Sequence, residues 1–192
     1  YIQEADIFAN QLKYVRPLSP YEIFMANVEA GNDEQLIIKS LVESYGLFIS
    51  SKTVPCGVCA ISCLEYIYQK YGFHVLDQTL RLCVGTWEGD NNSLTGNMLK
   101  GIARLVVAYG EVLKDDAFKD KVGKFSSREI SRTAKERKAG SLGFAEAILI
   151  AYNKKLKNPL KWTKLYVTKP NVPENELEMT FEENEESDED DT

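Results

Sequence analysis

The 192-residue sequence predicts an all-α fold, with roughly seven or eight helices in one bundle-like domain. Three observations predict it. Apolar residues recur at spacings of three and four through most of the chain, Ser or Asp precedes these runs, and Gly follows them. The hydrophobic fraction of 44% is enough for a core, and no run of about 18 apolar residues is present to span a membrane. A membrane channel, a fibrous repeat and a wholly disordered chain are excluded. The first residue is Tyr1 rather than Met, which reads as a segment of a longer protein.

The elements follow in order. Ser19-Pro20-Tyr21-Glu22 forms a capping box with Pro at the first helical position, and Gly31 stops the helix. Asp33 is expected to cap a second helix, whose stripe is Ile37, Ile38, Leu41, Val42 and Tyr45. Leu47 to Pro55 is the one strand-like stretch. Leu47-Phe48-Ile49 and Thr53-Val54 flank Ser50-Ser51-Lys52, as a small β-hairpin near 47–55 would require. A helix over Gly57 to Tyr71 ends at Gly72, and Asp77 reads as the cap of the next, with Leu80, Cys83, Val84 and Trp87 on one face. Ser93 reads as the cap of a longer helix closed by Gly110. Ser126-Ser127-Arg128-Glu129 is a second capping box, opening a mostly polar helix, and Ser141 reads as the cap of a last helix through Tyr152. The domain organisation read from this grammar is a preceding module or linker ending over 1–17, a helical domain over 18–155, a basic linker over 156–173 and an acidic disordered tail over 174–192.

The net charge of −6 hides an asymmetry. Residues 174–192 carry 11 acids and no base, so the remaining 18 acids face 23 bases. A solvated acidic extension on a basic body follows, and a basic body suits a polyanion partner. The bases gather in two runs. Lys121, Lys124, Arg128, Arg132, Lys135, Arg137 and Lys138 lie in the first; Lys154, Lys155 and Lys157 open the second, where Trp162 and Tyr166 are interleaved. Arg and Lys with aromatics suit a phosphate backbone or an unpaired base, so these ten side chains are the candidate nucleic-acid contacts.

Cys56, Cys59, Cys63 and Cys83 are the only cysteines, three of them within eight residues. Four thiols at this spacing in principle bind zinc or an iron–sulfur cluster. The stronger reading is core packing, because 56, 59 and 63 would share a helix face and no second C-x2-C follows. Crowded, unpaired thiols point to a reducing, cytoplasmic setting and not to a secreted disulfide scaffold. No nucleophile elbow, zincin motif or glycine-rich phosphate loop is present, and the single His74 follows a helix stop. The expectation is a non-enzymatic domain with no cofactor. The helices over 34–45 and 57–71 form a helix-turn-helix-like pair, but the connection exceeds the usual turn and the second helix is apolar, as a core element would be.

Arg16-Pro17-Leu18-Ser19-Pro20-Tyr21-Glu22, then Gly31-Asn32-Asp33 and Ile38 to Gly46, resembles the region after the ParB/sulfiredoxin-like module in ParB-related proteins of bacteria, phages and mobile elements. Leu76-Asp77-Gln78-Thr79-Leu80, Trp87, Gly96, Gly101 and Tyr152-Asn153-Lys154 are similar as well, and Tyr1 to Ala9 with Gln11 look like the end of the N-terminal module. The resemblance implies DNA binding in partition, replication or phage biology. The nucleotide-binding motifs of the N-terminal module are not in this sequence, so CTP binding is assigned to no residue. The expected function is thus non-enzymatic binding of DNA backbone. The alternative is a protein-interaction or assembly domain, self-association included, without nucleic-acid contact.

Overall fold

A computed structural model describes residues 16–166. The expected acidic tail and nearly all of the expected N-terminal module end lie outside the described residues. Eight α-helices occupy that span: α1 (Pro20–Glu29), α2 (Asp33–Ser44), α3 (Ile61–Tyr71), α4 (Phe73–Trp87), α5 (Gly96–Tyr109), α6 (Asp115–Val122), α7 (Ser127–Arg137) and α8 (Gly140–Asn153). Short 3-10 turns cover Gly110–Val112 and Trp162–Tyr166, and a two-residue strand pair, β1 (Phe48–Ile49) and β2 (Gly57–Val58), sits between α2 and α3. No helix among the described residues is long and apolar enough to cross a membrane.

Both capping boxes form. Ser19 Oγ accepts from the Glu22 amide at 3.3 Å while Glu22 Oε2 accepts from the Ser19 amide at 2.7 Å. Ser126 and Glu129 repeat the exchange at 3.3 and 2.8 Å. The other expected caps are displaced, and the oxygens of Asp77, Ser93 and Ser141 find different partners. Asn32 precedes α2, with Asp33 its first residue. Asp77 lies inside α4, accepting from Tyr45 Oη at 2.6 Å, and Ser93 turns its hydroxyl to the Asp90 carbonyl at 2.7 Å. Ser141 is the second residue of α8, not its cap.

The expected hairpin over 47–55 is instead a parallel pair, with Phe48 opposite Gly57 and Ile49 opposite Val58. Thr53 and Val54 stay out of the ladder, and β2 comes from residues expected in a helix. The cause is a tight loop. The Cys56 amide donates to the Gly89 carbonyl at 3.0 Å from a left-handed backbone (φ +60°), and a Cβ on Gly57 would stand 2.6 Å from Val54 Cγ2. Helix α3 therefore starts four residues later than the apolar pattern suggests. Residues 45–60, strand pair included, separate α2 from α3, so the two do not form a helix-turn-helix. Nor do the thiols share a helix face: Cys56 precedes β2, Cys59 is exposed in the connection, and only Cys63 lies on α3.

Helices α5 and α8 form the centre of the core. Met98, Leu99, Ile102 and Leu105 from α5 meet Ala145, Ile148, Leu149 and Ala151 from α8, all buried. Close approach requires Gly101, where a Cβ would lie 2.7 Å from Phe144 Cβ and 3.1 Å from the Ala145 nitrogen. Leu76, Leu80 and Cys83 of α4 and Ile61, Leu64 and Ile67 of α3 complete the same cluster. Trp87, Phe118 and Tyr152 stack across α4, α6 and α8 with ring centroids 6.5 and 6.2 Å apart. Trp87 Nε1 donates to the Phe125 carbonyl at 3.0 Å and so pins the turn between α6 and α7.

Beyond α8 the chain returns to the body. The Asn153 amide brackets Leu160, donating to its carbonyl at 3.0 Å and accepting from its N–H at 2.8 Å. Tyr109 Oη donates to the Lys161 carbonyl at 2.8 Å, and Leu165 is buried. The described part of the expected 156–173 linker is thus folded against α5 and α8.

Candidate nucleic-acid interface

The ten basic side chains expected to meet nucleic acid fall into distinct environments. Lys121 lies in the last turn of α6 and Lys154 caps the end of α8. Both helix ends carry the negative pole of the backbone dipole, which favours cations there. The two ends converge on one recess of about 270 Å³, lined by Lys121, Lys124, Phe125, Ala151, Lys154 and Lys155. Phe125 is its aromatic floor, with Lys154 Nζ 5.0 Å from the ring centroid. Lys155 adopts φ +61°, a left-handed conformation uncommon outside glycine, as the chain turns away from α8. None of these four lysines forms an ion pair with a carboxylate among the described residues.

Arg128, Arg132 and Lys135 project from α7 at spacings of four and three, which put them on one exposed face. Two acids flank them on α7: Glu136 is exposed, and Glu129 is taken up by its capping box with Ser126, whose amide and hydroxyl hold its carboxyl below the usual range. Arg128 also approaches Asp90. Burial would raise the Asp90 carboxyl, but bonds from Ser127 and Asn92 and the Arg128 charge hold it low. Lys157 is exposed beyond the α8 turn.

Arg137 and Lys138 are placed differently. Both turn onto Glu146 of α8, the one buried acid among the described residues, with Arg137 Nε at 2.8 Å and Lys138 Nζ at 3.3 Å. Tyr166 Oη donates to the same carboxylate at 2.6 Å. The guanidinium lies over the Trp162 ring at 5.3 Å and the ammonium over the Tyr166 ring at 5.1 Å. Burial alone would raise the Glu146 carboxyl; the bonds from Tyr166, Arg137 and Lys138 outweigh it and hold the group ionised below the usual range. These two cations fasten the 162–166 turn to the helical body. Trp162 and Tyr166, expected beside a phosphate backbone or an unpaired base, serve that clamp.

A family model described as a family of unknown function (DUF6551) matches residues 1–162. The chain belongs to the DUF6551 family. No curated protein and no solved structure matches it. The matched span of this DUF6551 chain takes in all eight helices and all ten candidate basic residues.

Elsewhere in the DUF6551 chain the thiols stay apart. No three His, Cys, Asp or Glu side chains among the described residues are grouped to hold a metal ion. Burial pushes the Cys63 thiol up to about 11 and the Cys83 thiol up to about 12, so both are neutral packing groups whose Sγ atoms face the carbonyls of Gly96 and Ser93. An open apolar groove of about 420 Å³ runs between α2 and the start of α4, along Leu36, Ile37, Leu41 and Phe73. Two features went unmarked in the sequence. Glu146 stands in an apolar helix with no local sign of its partners. Tyr66, Lys100 and Arg104 line a second cationic recess, with Lys70 bonded to Tyr66 beside it, and its only sequence signal is the four-residue spacing of Tyr66 with Lys70 and of Lys100 with Arg104.

Proposed function

We propose that this chain is a ParB-like, DNA-associated helical domain that binds nucleic-acid backbone without catalysing a reaction, in partition, replication or phage biology. The observation that carries the reading is the convergence of Lys121, Lys124, Lys154 and Lys155 around Phe125 with no carboxylate paired to them among the described residues. Four uncompensated ammonium groups beside an aromatic ring match a phosphate chain with an unstacked base. Arg128, Arg132 and Lys135 extend the same charge along α7, and Lys157 lies beyond it. Arg137 and Lys138 leave the contact set, since both are held by Glu146, which offsets one of their two charges. Backbone contact of this kind supplies affinity and carries no base sequence. The resemblance of Arg16 to Glu22 and of Ile38 to Gly46 to ParB-related proteins supports the same reading, as do the free thiols for a cytoplasmic setting.

The test is binding of a mixed-sequence duplex as salt is varied. Affinity falls steeply with salt, and Lys121→Glu combined with Lys154→Glu lowers it by more than about ten-fold at low salt. Absence of binding at low salt, or an unchanged affinity in the double variant, overturns the proposal. The second reading is a protein-interaction or assembly domain of a phage or mobile element. It draws on the groove along Leu36, Ile37 and Phe73, and gains if duplex binding is absent while the chain self-associates in sedimentation.

A further inference from the structure

A recess of about 230 Å³ lies between α3, α5 and the start of α8, and shares no residue with the lysine recess around Phe125. Tyr66 and Tyr71 line it from α3, Lys100 and Arg104 from α5, and Ser141 from α8. Its charges are crowded. Lys70 Nζ donates to Tyr66 Oη at 2.9 Å and stands 5.2 and 5.3 Å from the Tyr66 and Tyr71 ring centroids. Lys100 Nζ stands 4.6 Å from the same Tyr66 ring. Two ammonium groups thus share one phenol, and a ring quadrupole compensates each only weakly.

No carboxylate among the described residues pairs with Lys70, Lys100 or Arg104. Glu65 accepts from Gln35 at 3.0 Å and Glu34 from Gln69 at 2.8 Å, both between α2 and α3. Arg104 Nε donates to Ser141 Oγ at 3.2 Å, and its terminal nitrogens make no hydrogen bond among the described residues. The Ser141 hydroxyl, accepting from Arg104, keeps its own proton to donate. Ser141 also marks the first turn of α8, whose N-cap, Ala139, offers no side-chain acceptor, so the positive end of a 14-residue helix meets the same recess. The Tyr66 hydroxyl reports this field: the bond from Lys70 lowers its pKa.

We propose that this recess binds a phosphate monoester dianion. Lys100 and Arg104 hold the phosphoryl oxygens, Lys70 adds charge at the rim, Ser141 donates its hydroxyl, and the edge-to-face Tyr66 and Tyr71 rings, 6.3 Å apart, receive the organic group. A guanidinium and an ammonium one turn apart on α5 grip a dianion together, whereas the lysine recess, of similar size, presents ammonium groups alone.

The experiment titrates the full chain with inorganic phosphate and, separately, phenyl phosphate, at ionic strength held constant with chloride, read by amide chemical shifts. Saturable shifts gather at Tyr66 to Tyr71, Lys100 to Arg104 and Ser141. Lys100→Gln and Arg104→Gln each weaken binding by about ten-fold or more, and Lys100→Arg keeps it within about three-fold. Phenyl phosphate binds more tightly than inorganic phosphate; equal binding overturns the assignment to a monoester and leaves a site for the free ion. The double variant Lys121→Glu, Lys154→Glu retains phosphate binding, which separates this site from the proposed nucleic-acid face. No saturable shift with either probe, shifts centred elsewhere, or affinity unchanged in both Gln variants overturns the proposal. The shift map of the unaltered chain decides the matter even where a variant fails to fold.

Discussion

Arg137 with Lys138 and Lys121 with Lys124 belong to one basic run, yet the fold uses the two pairs in opposite ways. The first pair closes on a buried carboxylate and two aromatic rings. The second pair faces Lys154 and Lys155 across a recess with no acid among the described residues. Each side of the comparison carries two cations. What differs is whether a neighbouring helix presents an anion. Helix α8 offers Glu146 to the end of α7 and offers only its own terminal lysines to the end of α6. A basic cluster therefore becomes a structural clamp or an open electrostatic surface according to what the next helix brings.

The largest expected effect breaks the clamp. Glu146→Ala removes the shared acceptor of Arg137, Lys138 and Tyr166 and costs about 3 kcal/mol of unfolding free energy. The value sits at the low end for a buried pair because Arg137 and Lys138 are 41% and 50% exposed, and turn out into water once released. Denaturant unfolding measures the loss, and hydrogen exchange shows Trp162 to Tyr166 opening with it. An unchanged midpoint would show that the clamp contributes nothing.

Acid sharpens the same comparison. The Glu146 carboxyl is held below its ordinary value near 4.5, so its stabilisation is complete above that pH and is lost as pH falls through the lowered value. Glu22 acts in the same direction: the Ser19 amide, the Ser19 hydroxyl and Arg16 lower it to about 2, although it is solvent-exposed and therefore screened. The chain accordingly loses stability as pH falls below about 4.5, and the Glu22 contribution is lost only towards about pH 2. Glu146→Gln, which keeps the volume and an acceptor, flattens that slope. Lys124→Gln removes no partner of Glu146 or Glu22 and leaves the slope of stability against pH as it was. Unfolding curves taken across that window check both variants.

Much of the fold was legible because local chemistry sets helix ends wherever nothing competes. Both Ser-x-x-Glu boxes form as read, and the glycine stops at 31, 72 and 110 all hold positive φ. Asp77, Ser93 and Ser141 misled because a capping residue is defined by its partner: Tyr45 and Arg104 lie in other segments, and Ser93 turns back to the Asp90 carbonyl of its own loop. The strand pair was misread for a related reason. A tight loop tied to Gly89 reverses the expected pairing, and no property of residues 47–58 alone encodes that contact. Of the candidate contacts, charge spacing located the lysines but not their neighbours. The distance from Lys138 to Glu146 is eight residues in sequence, beyond any single-helix periodicity, and only the α7–α8 turn brings them together.

The smallest expected effects are the most diagnostic, because they compare one residue type in two settings. Arg132→Gln removes an exposed α7 side chain without an ion pair among the described residues. Its stability cost lies within about 0.5 kcal/mol, and the proposed duplex binding loses about one unit of its logarithmic salt slope. Arg137→Gln, five residues on, should do the reverse. It removes the hydrogen bond to Glu146 and the stacking on Trp162, costing about 1–2 kcal/mol, while the salt slope stays as it was. Denaturation and salt-dependent binding measured on the two variants side by side separate the roles. If Arg137→Gln lowers the slope as much as Arg132→Gln does, the clamp remains open to phosphate, and the boundary between the structural cations and the binding cations moves to the far end of α7.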